Sequence, residues 1–304
     1  MSDIKKQHVD CEPKREKWES DAFTLPSEAK QTRVHTLDVA IVTVTANKLH
    51  KECLQSVQRL MNETPLRTAF IVVDNASTAF DAHSYVKQHV PEAIVILRDQ
   101  NPGFGASCNR GACEVDADYY FFLNPDTRID DVTAIDRLHT FLKQCPQVGI
   151  AAPKILYMDG RVQETCRRFP AWYTPLAQRT SLLDEKKAQV HRADFLMEDF
   201  AHHKRRLVDW VQGSAFMIDG KLFHELGGFD ERYFMYYEDV DLCRQCWGHG
   251  RPVYYLPEAV VYHAYAKDSA KGEGMLNQIL HNRQTRAHIA SWIKYSMKWF
   301  GKRI

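Results

Sequence analysis

Four short apolar segments, alternating with stretches of helical character, constrain the fold of this chain more than any other feature. The segments are residues 38–45, 69–74, 94–97 and 119–124. Each is apolar almost throughout, which is typical of a strand buried on both faces. The stretches with helical character are residues 49–61, 106–115 and 132–144. Strands that alternate with helices predict an α/β fold, with a mostly parallel sheet flanked by helices.

The composition narrows the class of protein without identifying a partner. The chain has 304 residues, of which 44% are hydrophobic, and a net charge near +1. This is enough apolar material for the core of one large domain or two small ones. The charge balance gives no argument for a nucleic-acid partner. No apolar run reaches the roughly 18 residues expected of a membrane span, and the polar first residues do not resemble a signal peptide.

Eight cysteines are too dilute for a disulfide scaffold, so reduced thiols in a cytosol are expected. Cys243 and Cys246 form a C-x-x-C pair, which is half of a common zinc motif. Cys108 and Cys113 are more widely spaced, and no matching second pair follows. The favoured interpretation of Cys243 and Cys246 is therefore two small residues on one face of a helix.

The sequence predicts three parts. Residues 1–36 are charged, aperiodic and interrupted by two prolines, so a flexible N-terminal extension is expected. Residues 37–270 are expected to form one domain, whose less regular second half includes a helix near 238–249 and strands near 252–263. This second half is interpreted as an elaborated acceptor side. Residues 271–304 are expected to form a basic amphipathic helix.

Ligands of such a sheet bind at the carboxyl ends of its strands. The second apolar segment ends at Asp74, whose carboxylate could accept hydrogen bonds from a nucleobase; a turn or helix cap is an equally good interpretation. The third is followed by a glycine-rich stretch, residues 101–111, in which Cys108 replaces the third glycine of the dinucleotide-binding fingerprint. A glycine-rich turn entering a helix suits the close approach of a polar ligand, and a tight connection without chemical use is the alternative.

The fourth strand ends in Asn124-Pro125-Asp126, which is a stronger candidate site. A carboxylate at the sheet edge, next to a turn fixed by proline, can ligate Mg²⁺ or Mn²⁺ that bridges a diphosphate. The metal would then offset the charge that develops on a leaving nucleotide. Capping of the following helix is the alternative interpretation of Asp126.

Three carboxylates lie within four residues at Glu238, Asp239 and Asp241, directly after four bulky side chains. A carboxylate in an aromatic-walled site can act as a general base towards a hydroxyl group. The alternative is that these residues only supply negative charge to the start of a helix, where the dipole favours it. That alternative is strongest for Asp241.

Seven motifs between about residues 38 and 265 closely resemble, in this order, those of family 2 glycosyltransferases. The motifs are VTVTAN, VVDNAS, NPGFGASCNRG, FFLNPDT, QETCRRFP, VDWVQGSAFMI and GGFDERYFMYYEDVDLC. The resemblance implies a GT-A fold, a nucleoside-diphosphate sugar donor, a divalent metal (Mg²⁺ or Mn²⁺) and inversion at the anomeric carbon. Within this family, the motifs of the chain look most like those of the rhamnosyltransferases of bacterial surface polysaccharide assembly. This favours dTDP-rhamnose over a UDP-hexose as donor, and a lipid-linked glycan or polysaccharide as acceptor.

The resemblance also implies roles by position. Asp239, or its neighbour Glu238, would deprotonate the acceptor, and Asp126 would bind the metal. His263 would be a second metal ligand, unless it is simply a packed or surface histidine. The residues implied to bind the nucleotide sugar are Thr45, Asn47, Asp74, Asn101, Gly105, Asn109 and Asp126. The residues implied on the acceptor side are Trp210, Gly213 and Asp230.

Two positions depart from the family pattern. Asn124 stands where a full D-x-D motif has its first carboxylate, which weakens the expected metal site. Ala46 stands where relatives usually carry an aromatic residue, which would loosen the nucleoside pocket or change its selectivity. Two rival functions follow: a nucleotidyltransferase, although VTVTANKLHKE lacks the expected glycine-rich basic signature, and a non-catalytic module that binds sugars or nucleotides.

The last segment suggests a membrane contact. From residue 281 onward it contains six Lys or Arg and no acidic residue. One helical face is predicted to carry Ile289, Trp292, Ile293, Ser296, Trp299 and Phe300, and the opposite face Lys294, Lys298 and Lys302. Such a helix is typical of docking on an anionic membrane surface, here the inner face of the bacterial cytoplasmic membrane. Packing of the helix on the domain, or a dimer contact, is the alternative.

Overall fold

A computed structural model describes residues 37–171, 174, 185–264 and 282–302. The predicted N-terminal extension, residues 1–36, lies outside the described residues, as does the stretch 265–281 that precedes the last helix. The described residues all belong to one compact unit. Across these ranges, no helix combines the length and the apolar character needed to cross a membrane.

The strands and helices of the described part follow in chain order. The strands are β1 (Leu37–Thr45), β2 (Thr68–Asn75), β3 (Ile94–Arg98), β4 (Ala117–Leu123), β5 (Thr127–Arg128), β6 (Ile150–Leu156), β7 (Cys166–Arg167), β8 (Arg206–Val208), β9 (Trp210–Val211), β10 (Ala215–Asp219) and β11 (Val253–His263). The helices are α1 (Lys51–Glu63), α2 (Ala82–His89), α3 (Phe104–Ala112), α4 (Thr133–Gln144), α5 (Glu185–Phe195), α6 (Gly220–Glu225), α7 (Glu238–Gly248) and α8 (Arg283–Trp299).

The main sheet has the strand order β3-β2-β1-β4-β10-β6-β11-β5, and β8 pairs with β11 beside this path. The pairs β3–β2, β2–β1, β1–β4 and β6–β11 are parallel. Strand β10 is inserted antiparallel between β4 and β6. The predicted α/β class, a mostly parallel sheet flanked by helices, is therefore confirmed.

The segments that form β1, β2 and β4 are apolar because both faces of these strands are largely covered. The expectation was wrong for the third segment, because β3 is the edge strand of the sheet and its Leu97 is 60% exposed. Val39, Ile41 and Val42 in β1 are all buried, and so are the central residues of β2. Cβ atoms of a strand alternate between the two faces, so a strand buried on both sides needs a continuous apolar run. The register pairs Thr45 with Asp74, which places the ends of β1 and β2 side by side at one edge.

The helices cover the sheet with apolar faces. In α1 the buried residues recur at helical spacing, as the pattern predicted, at Cys53, Leu54, Val57 and Leu60. Helix α3 approaches the sheet more closely, because a Cβ atom on Gly111 would lie 2.6 Å from Val42 Cγ1. Nearer the start of α3, Ser107 Oγ donates to Asn75 Oδ1 at 2.7 Å, which places this part of the helix at the carboxyl end of β2.

The second half of the chain forms the other side of the carboxyl edge of the sheet. Strands β7 and β9 form a small antiparallel sheet, and β11 runs as one long strand with a register shift between Leu256 and Val260. Cys243 and Cys246 are buried in α7, as expected of small residues on a packed helix face. Helix α8 packs on the domain through Tyr295, with Trp299 also against the core.

Candidate active site

The carboxyl edge of the sheet brings together side chains from both halves of the chain. Asn124, which follows β4, donates its N–H to the Ser214 carbonyl at 2.9 Å. The neighbouring Gly213 donates its N–H to Asp239 Oδ2, also at 2.9 Å. The antiparallel pairing of β10 with β4 therefore connects the Asp126 region to the acidic start of α7.

Asp74 lies at the end of β2 with only 4% of its surface exposed. One carboxylate oxygen accepts a hydrogen bond from the Ser77 N–H at 3.0 Å, which is the turn interaction expected of an aspartate there. The other oxygen, Oδ1, is buried and has no hydrogen-bond partner among the described residues. Since buried polar atoms are normally paired, this oxygen suits a ligand that brings an N–H donor.

Thr45 and Asn47 shape the loop after β1. Thr45 Oγ1 donates to the Lys48 carbonyl at 2.8 Å. Asn47, with φ of 62°, accepts the N–H groups of Thr78 and Ala79 at 2.6 and 2.9 Å. Both side chains thus stabilise the loop beside Asp74, and their contact with the nucleotide sugar stays a prediction.

The glycine-rich stretch packs against the second half of the chain. Asn101 Oδ1 accepts the Gly103 N–H at 2.9 Å and so forms the turn into α3. Gly103 has φ of 111°, and a Cβ atom there would lie 2.3 Å from the Phe234 carbonyl oxygen. Only glycine allows this approach. At Gly105 an added Cβ would meet Phe229 Cβ at 3.0 Å, so this residue also serves close packing.

Asn109 was expected to bind the nucleotide sugar, and the structure assigns its amide elsewhere. Asn109 Oδ1 accepts the Phe229 N–H and Nδ2 donates to the Phe229 carbonyl, both at 2.8 Å. The amide therefore fixes the turn that precedes α7. The structure thus gives Asn109 a structural role, through hydrogen bonds to a residue 120 positions away. Its contact with the nucleotide sugar stays a prediction.

Asp126 and His263, predicted as metal ligands, lie together. His263 ends β11, which pairs with β5 so that His263 is opposite Thr127. Its Nε2 atom lies 3.1 Å from Asp126 Oδ1. The other carboxylate oxygen, Oδ2, accepts a hydrogen bond from Lys48 Nζ at 2.8 Å. Burial opposes ionisation of Asp126, but the hydrogen bonds and charges of His263 and Lys48 outweigh it and lower its pKa to about 2.

Gln163 orients the histidine ring. Its Nε2 donates to the His263 carbonyl at 2.7 Å, so its Oε1 faces His263 Nδ1 at 3.1 Å. In this network the Nδ1–H donates and Nε2 faces Asp126. Metal-binding histidines are commonly held by such an outer hydrogen bond. Within the described ranges no group of three or more His, Cys, Asp or Glu could hold a metal alone. The donor set fits a site completed by a diphosphate and water, as Mg²⁺ sites often are.

The acidic residues at the start of α7 have different surroundings. Glu238 is buried, and its Cβ lies 3.5 Å from where a Cβ on Gly105 would be. Its Oε2 atom has no hydrogen-bond partner among the described residues. Asp239 is half-buried and accepts the N–H groups of Gly213 and Val240 at 2.9 and 2.8 Å. Asp239 is therefore the better placed of the two to meet a ligand.

Burial raises the pKa of both carboxyl groups. For Glu238 the charge of Asp239 adds to burial, and the pKa lies well above its usual value. For Asp239 the N–H donors of Gly213 and Val240 oppose burial, because they stabilise the ionised form. The two N–H donors thus favour the ionised form of Asp239, and Glu238 Oε2 has no such donor among the described residues, which suits Asp239 better as a base.

Two of the three residues expected on the acceptor side have structural partners. Trp210 is buried, and its Nε1–H donates to the Arg168 carbonyl at 2.7 Å. Asp230 accepts a hydrogen bond from Lys298 of α8 at 2.7 Å and pairs with Arg232, so its pKa lies well below its usual value despite burial. Gly213 differs, since it touches Asp239 directly. Acceptor contacts by Trp210 and Asp230 stay a prediction, beside these structural roles.

Lys48 and Gln163 are site residues that the sequence did not single out. Both stand inside or beside the quoted motifs: Lys48 follows VTVTAN, and Gln163 begins QETCRRFP. Lys48 is 78 residues from Asp126, and Gln163 is 100 residues from His263. No local sequence pattern could therefore predict that these side chains contact the Asp126–His263 pair.

Comparison with known proteins shows which family and which fold this chain resembles. The model of the family described as "Glycosyltransferase like family 2" matches residues 35–287. The chain is 26% identical over 278 residues to the N-acetylglucosaminyl-diphospho-decaprenol L-rhamnosyltransferase of Mycobacterium tuberculosis, a match covering 86% of this chain and 88% of that protein. It is 25% identical over 204 residues to rhamnosyltransferase WbbL of Escherichia coli, covering 64% of this chain and 69% of WbbL.

Among solved structures, the chain is similar to GalNAc-T7, whose crystal structure contains UDP, GalNAc and Mn²⁺. The TM-score is 0.63 at 15% identity, over 88% of this chain and 48% of that one. This chain therefore spans about half the length of GalNAc-T7. At that identity the similarity shows the fold alone, which is the expected GT-A type.

Proposed function

The chain belongs to glycosyltransferase family 2, and we propose that it transfers L-rhamnose from dTDP-rhamnose to a hydroxyl group of a lipid-linked glycan, with inversion. One observation carries the proposal. The Asp126–His263 pair and Asp239 are linked through the Asn124–Ser214 hydrogen bond and the adjacent Gly213 N–H. One edge thus offers both a cation-binding carboxylate for a diphosphate and a separate base for an acceptor.

The choice of sugar and acceptor comes from the relatives. Two of them are named rhamnosyltransferases, and the Mycobacterium tuberculosis protein is named for an acceptor on decaprenol diphosphate, a lipid carrier. Asp74, with its unpaired buried oxygen, would accept an N–H of the nucleobase. A UDP-hexose donor is the competing assignment, because Ala46 leaves the nucleoside pocket without the usual aromatic wall.

A divalent cation, Mg²⁺ or Mn²⁺, would be held by Asp126 and His263. Bound there, it supplies positive charge to the leaving diphosphate. Lys48 supplies a second positive charge at the same carboxylate, since its ammonium group lies 2.8 Å from Asp126 Oδ2. The two carboxylate oxygens of Asp126 are thus engaged from two sides.

Asp239 would take the proton of the acceptor hydroxyl. As that oxygen attacks the anomeric carbon, the bond between this carbon and the diphosphate oxygen breaks, and its electron pair leaves with the diphosphate. A single in-line displacement of this kind inverts the anomeric centre. The Gly213 and Val240 N–H groups would keep the Asp239 carboxylate oriented and ionised before the reaction.

A membrane surface completes the proposed setting. Helix α8 carries an outward apolar stripe of Ile293, Met297 and Phe300, which are 47%, 75% and 84% exposed. Exposed Arg286 and Lys294 lie beside it. An apolar stripe flanked by cations fits an anionic bilayer surface, here the inner face of the cytoplasmic membrane.

The predicted division of this helix into two faces was wrong for three side chains. Trp292 and Trp299 pack towards the domain, and Lys298 also points inward, where it pairs with Asp230 and Asp241. The helix has two apolar stripes, and the larger aromatic residues belong to the inner one. The proposed membrane face is therefore narrower than the sequence suggested.

A panel of sugar nucleotides measured by thermal shift tests the donor assignment. dTDP-rhamnose with Mn²⁺ should raise the melting temperature, because a ligand that binds the folded state stabilises it by mass action. dTDP alone is the control for nucleotide binding without the sugar. A larger shift with a UDP-hexose would overturn the choice of donor. A shift without transfer or hydrolysis of any donor would support a binding module instead.

Replacement of the proposed base tests the mechanism. Asp239→Asn should lower the transfer rate by about 10²–10⁴-fold and leave the donor-induced thermal shift intact. Glu238→Gln is the matched variant, because it removes the adjacent carboxyl group, whose pKa is raised by burial and by the charge of Asp239. It should lose far less activity. Equal losses in the two variants, or full activity of Asp239→Asn, would contradict the assignment.

A further inference from the structure

Two consecutive tyrosines in a strained conformation precede the candidate base. Tyr236 and Tyr237 have φ values of 68° and 69°, in the left-handed region that bulky residues rarely adopt. Tyr237 is the N-cap residue of α7, and its side chain makes no capping hydrogen bond. Strain of this kind persists only where surrounding structure enforces it.

Helix α8 provides that surrounding structure. Ser291 Oγ donates to the Met235 carbonyl at 2.8 Å, directly before the strained pair. The ring of Tyr295, a buried residue, lies 5.2 Å from the ring of Tyr237. The His288 ring lies 5.1 Å from the Tyr236 ring and 5.4 Å from the Tyr237 ring. These contacts cover both tyrosines from one side.

Helix α8 also makes ion pairs at both ends of the segment that runs from Asp230 to Asp241. Lys298 Nζ lies 2.7 Å from Asp230 Oδ2 and 2.7 Å from Asp241 Oδ2. Trp299 Nε1 donates to the other oxygen of Asp241 at 2.7 Å. Asp241 is fully buried, so its charge depends on these partners. We call residues 230–241 the catalytic turn.

We propose that α8 is a clamp on the catalytic turn, and that Ser291 is a positioning residue for Asp239. The clamp holds Tyr236 and Tyr237 in the left-handed conformation from which Asp239 reaches the Gly213 N–H. This inference rests on the proposed role of Asp239 as base. Without the clamp the turn relaxes towards ordinary backbone angles, and Asp239 loses its alignment while the donor site on β1, β2 and β4 is unaffected.

Ser291→Ala tests the clamp with little risk to folding, because alanine favours helix formation. Ser296→Ala, on the same helix, is the matched control. The Ser291 variant should lower kcat about two- to tenfold, as expected for one lost hydrogen bond, with the KM for the donor unchanged. Amide hydrogen exchange in residues 230–241 should be faster than in the Ser296 variant.

The two readouts separate the clamp from the proposed function. Unchanged exchange in the Ser291 variant overturns the clamp. Faster exchange with unchanged kcat overturns the positioning role of Ser291. If the wild-type protein transfers no sugar, the proposed function is refuted. Amide hydrogen exchange then remains as the test of the clamp, and faster exchange in the Ser291 variant still supports it.

Discussion

Glu238 packs against Gly105 through its Cβ, and one of its carboxyl oxygens has no hydrogen-bond partner among the described residues. The carboxyl group of Asp239, one residue later, is held by two N–H groups. Sequence alone left both as candidates for the base. The distinction comes from the start of α7, which turns successive side chains in different directions. Glu238 faces Gly105 in α3, and Asp239 faces Gly213, which precedes β10.

Glu238→Gln should stabilise the protein at neutral and alkaline pH. Burial raises the pKa of Glu238, so the folded state keeps a proton that the unfolded state loses above the ordinary pKa of glutamate. The contribution of Glu238 to the free energy of unfolding is therefore most favourable at acidic pH. It falls as the pH rises from the unfolded-state pKa towards the folded-state pKa. Glutamine stays neutral throughout, and a gain on the order of 1 kcal/mol is expected near pH 8.

Urea unfolding of both proteins between pH 4.5 and 8 measures this effect. The difference in free energy of unfolding should be smallest at the acidic end and grow with pH. A difference that is constant with pH would mean that Glu238 does not hold a proton in the folded state.

Lys48 should compete with a divalent cation for Asp126. The ammonium group lies 2.8 Å from Asp126 Oδ2, and it is nearly half exposed, so the pair contributes modestly. Lys48→Met should raise the affinity for Mn²⁺ in the absence of donor by about two- to fivefold, measured by electron paramagnetic resonance. Lys51→Met, an exposed lysine at the start of α1, is the control. Weaker Mn²⁺ binding by the Lys48 variant would show that Lys48 does not oppose the cation.

Helix α3 determines where the glycine-rich turn meets the catalytic turn. Gly111 lets the helix lie on the sheet, with an added Cβ only 2.6 Å from Val42 Cγ1 and 3.1 Å from Val73 Cγ2. Both neighbours are buried β-branched side chains that cannot move aside. The position of Gly103 against Phe234 depends on this close packing.

Gly111→Ala should destabilise the protein by about 1–3 kcal/mol, the usual cost of overpacking a core. Gly248→Ala is the matched control, because Gly248 is also helical and nothing lies within 4 Å of an added Cβ. That control should be neutral or stabilise by up to about 1 kcal/mol. Thermal unfolding of both variants measures the contrast. A similar stability for the two would show that α3 can shift away from the sheet.

The elements were predictable and several side-chain roles were not. Strands β1 to β4 follow from continuous apolar runs, and α1, α3 and α4 from helical spacing, because burial imposes those periodicities locally. Asn109 and Asp230 look like ligands in sequence because they are polar residues in matched motifs. Their partners, Phe229 and Lys298, come from elements that only tertiary packing brings near. The pairing of Asp126 with His263 came from the resemblance, since 137 residues separate them.

Helix α8 presents two different surfaces, one to the domain and one to solvent. Its inner side contacts the catalytic turn through Ser291 and Tyr295. Its outer side exposes Ile293, Met297 and Phe300, at the spacing i, i+4, i+7 of one helical face. A bilayer at the outer side would lie one helix diameter, about 10 Å, from the catalytic turn. That distance suits an acceptor whose lipid stays in the membrane while its glycan reaches Asp239.

Replacing Ile293, Met297 and Phe300 together by serine should lower binding to vesicles that contain anionic phosphatidylglycerol by tenfold or more. Each exposed apolar side chain contributes roughly 1 kcal/mol or more when it enters the interface. Val190→Ser is the control, because Val190 is 70% exposed on α5, away from the stripe. Vesicle flotation measures the bound fraction, and added salt should weaken wild-type binding as it screens the cations. Equal flotation of the triple variant and wild type would exclude this face as the docking surface. The thermal shift with donor should remain in the triple variant, since none of the three residues lies in the inner contact with the catalytic turn.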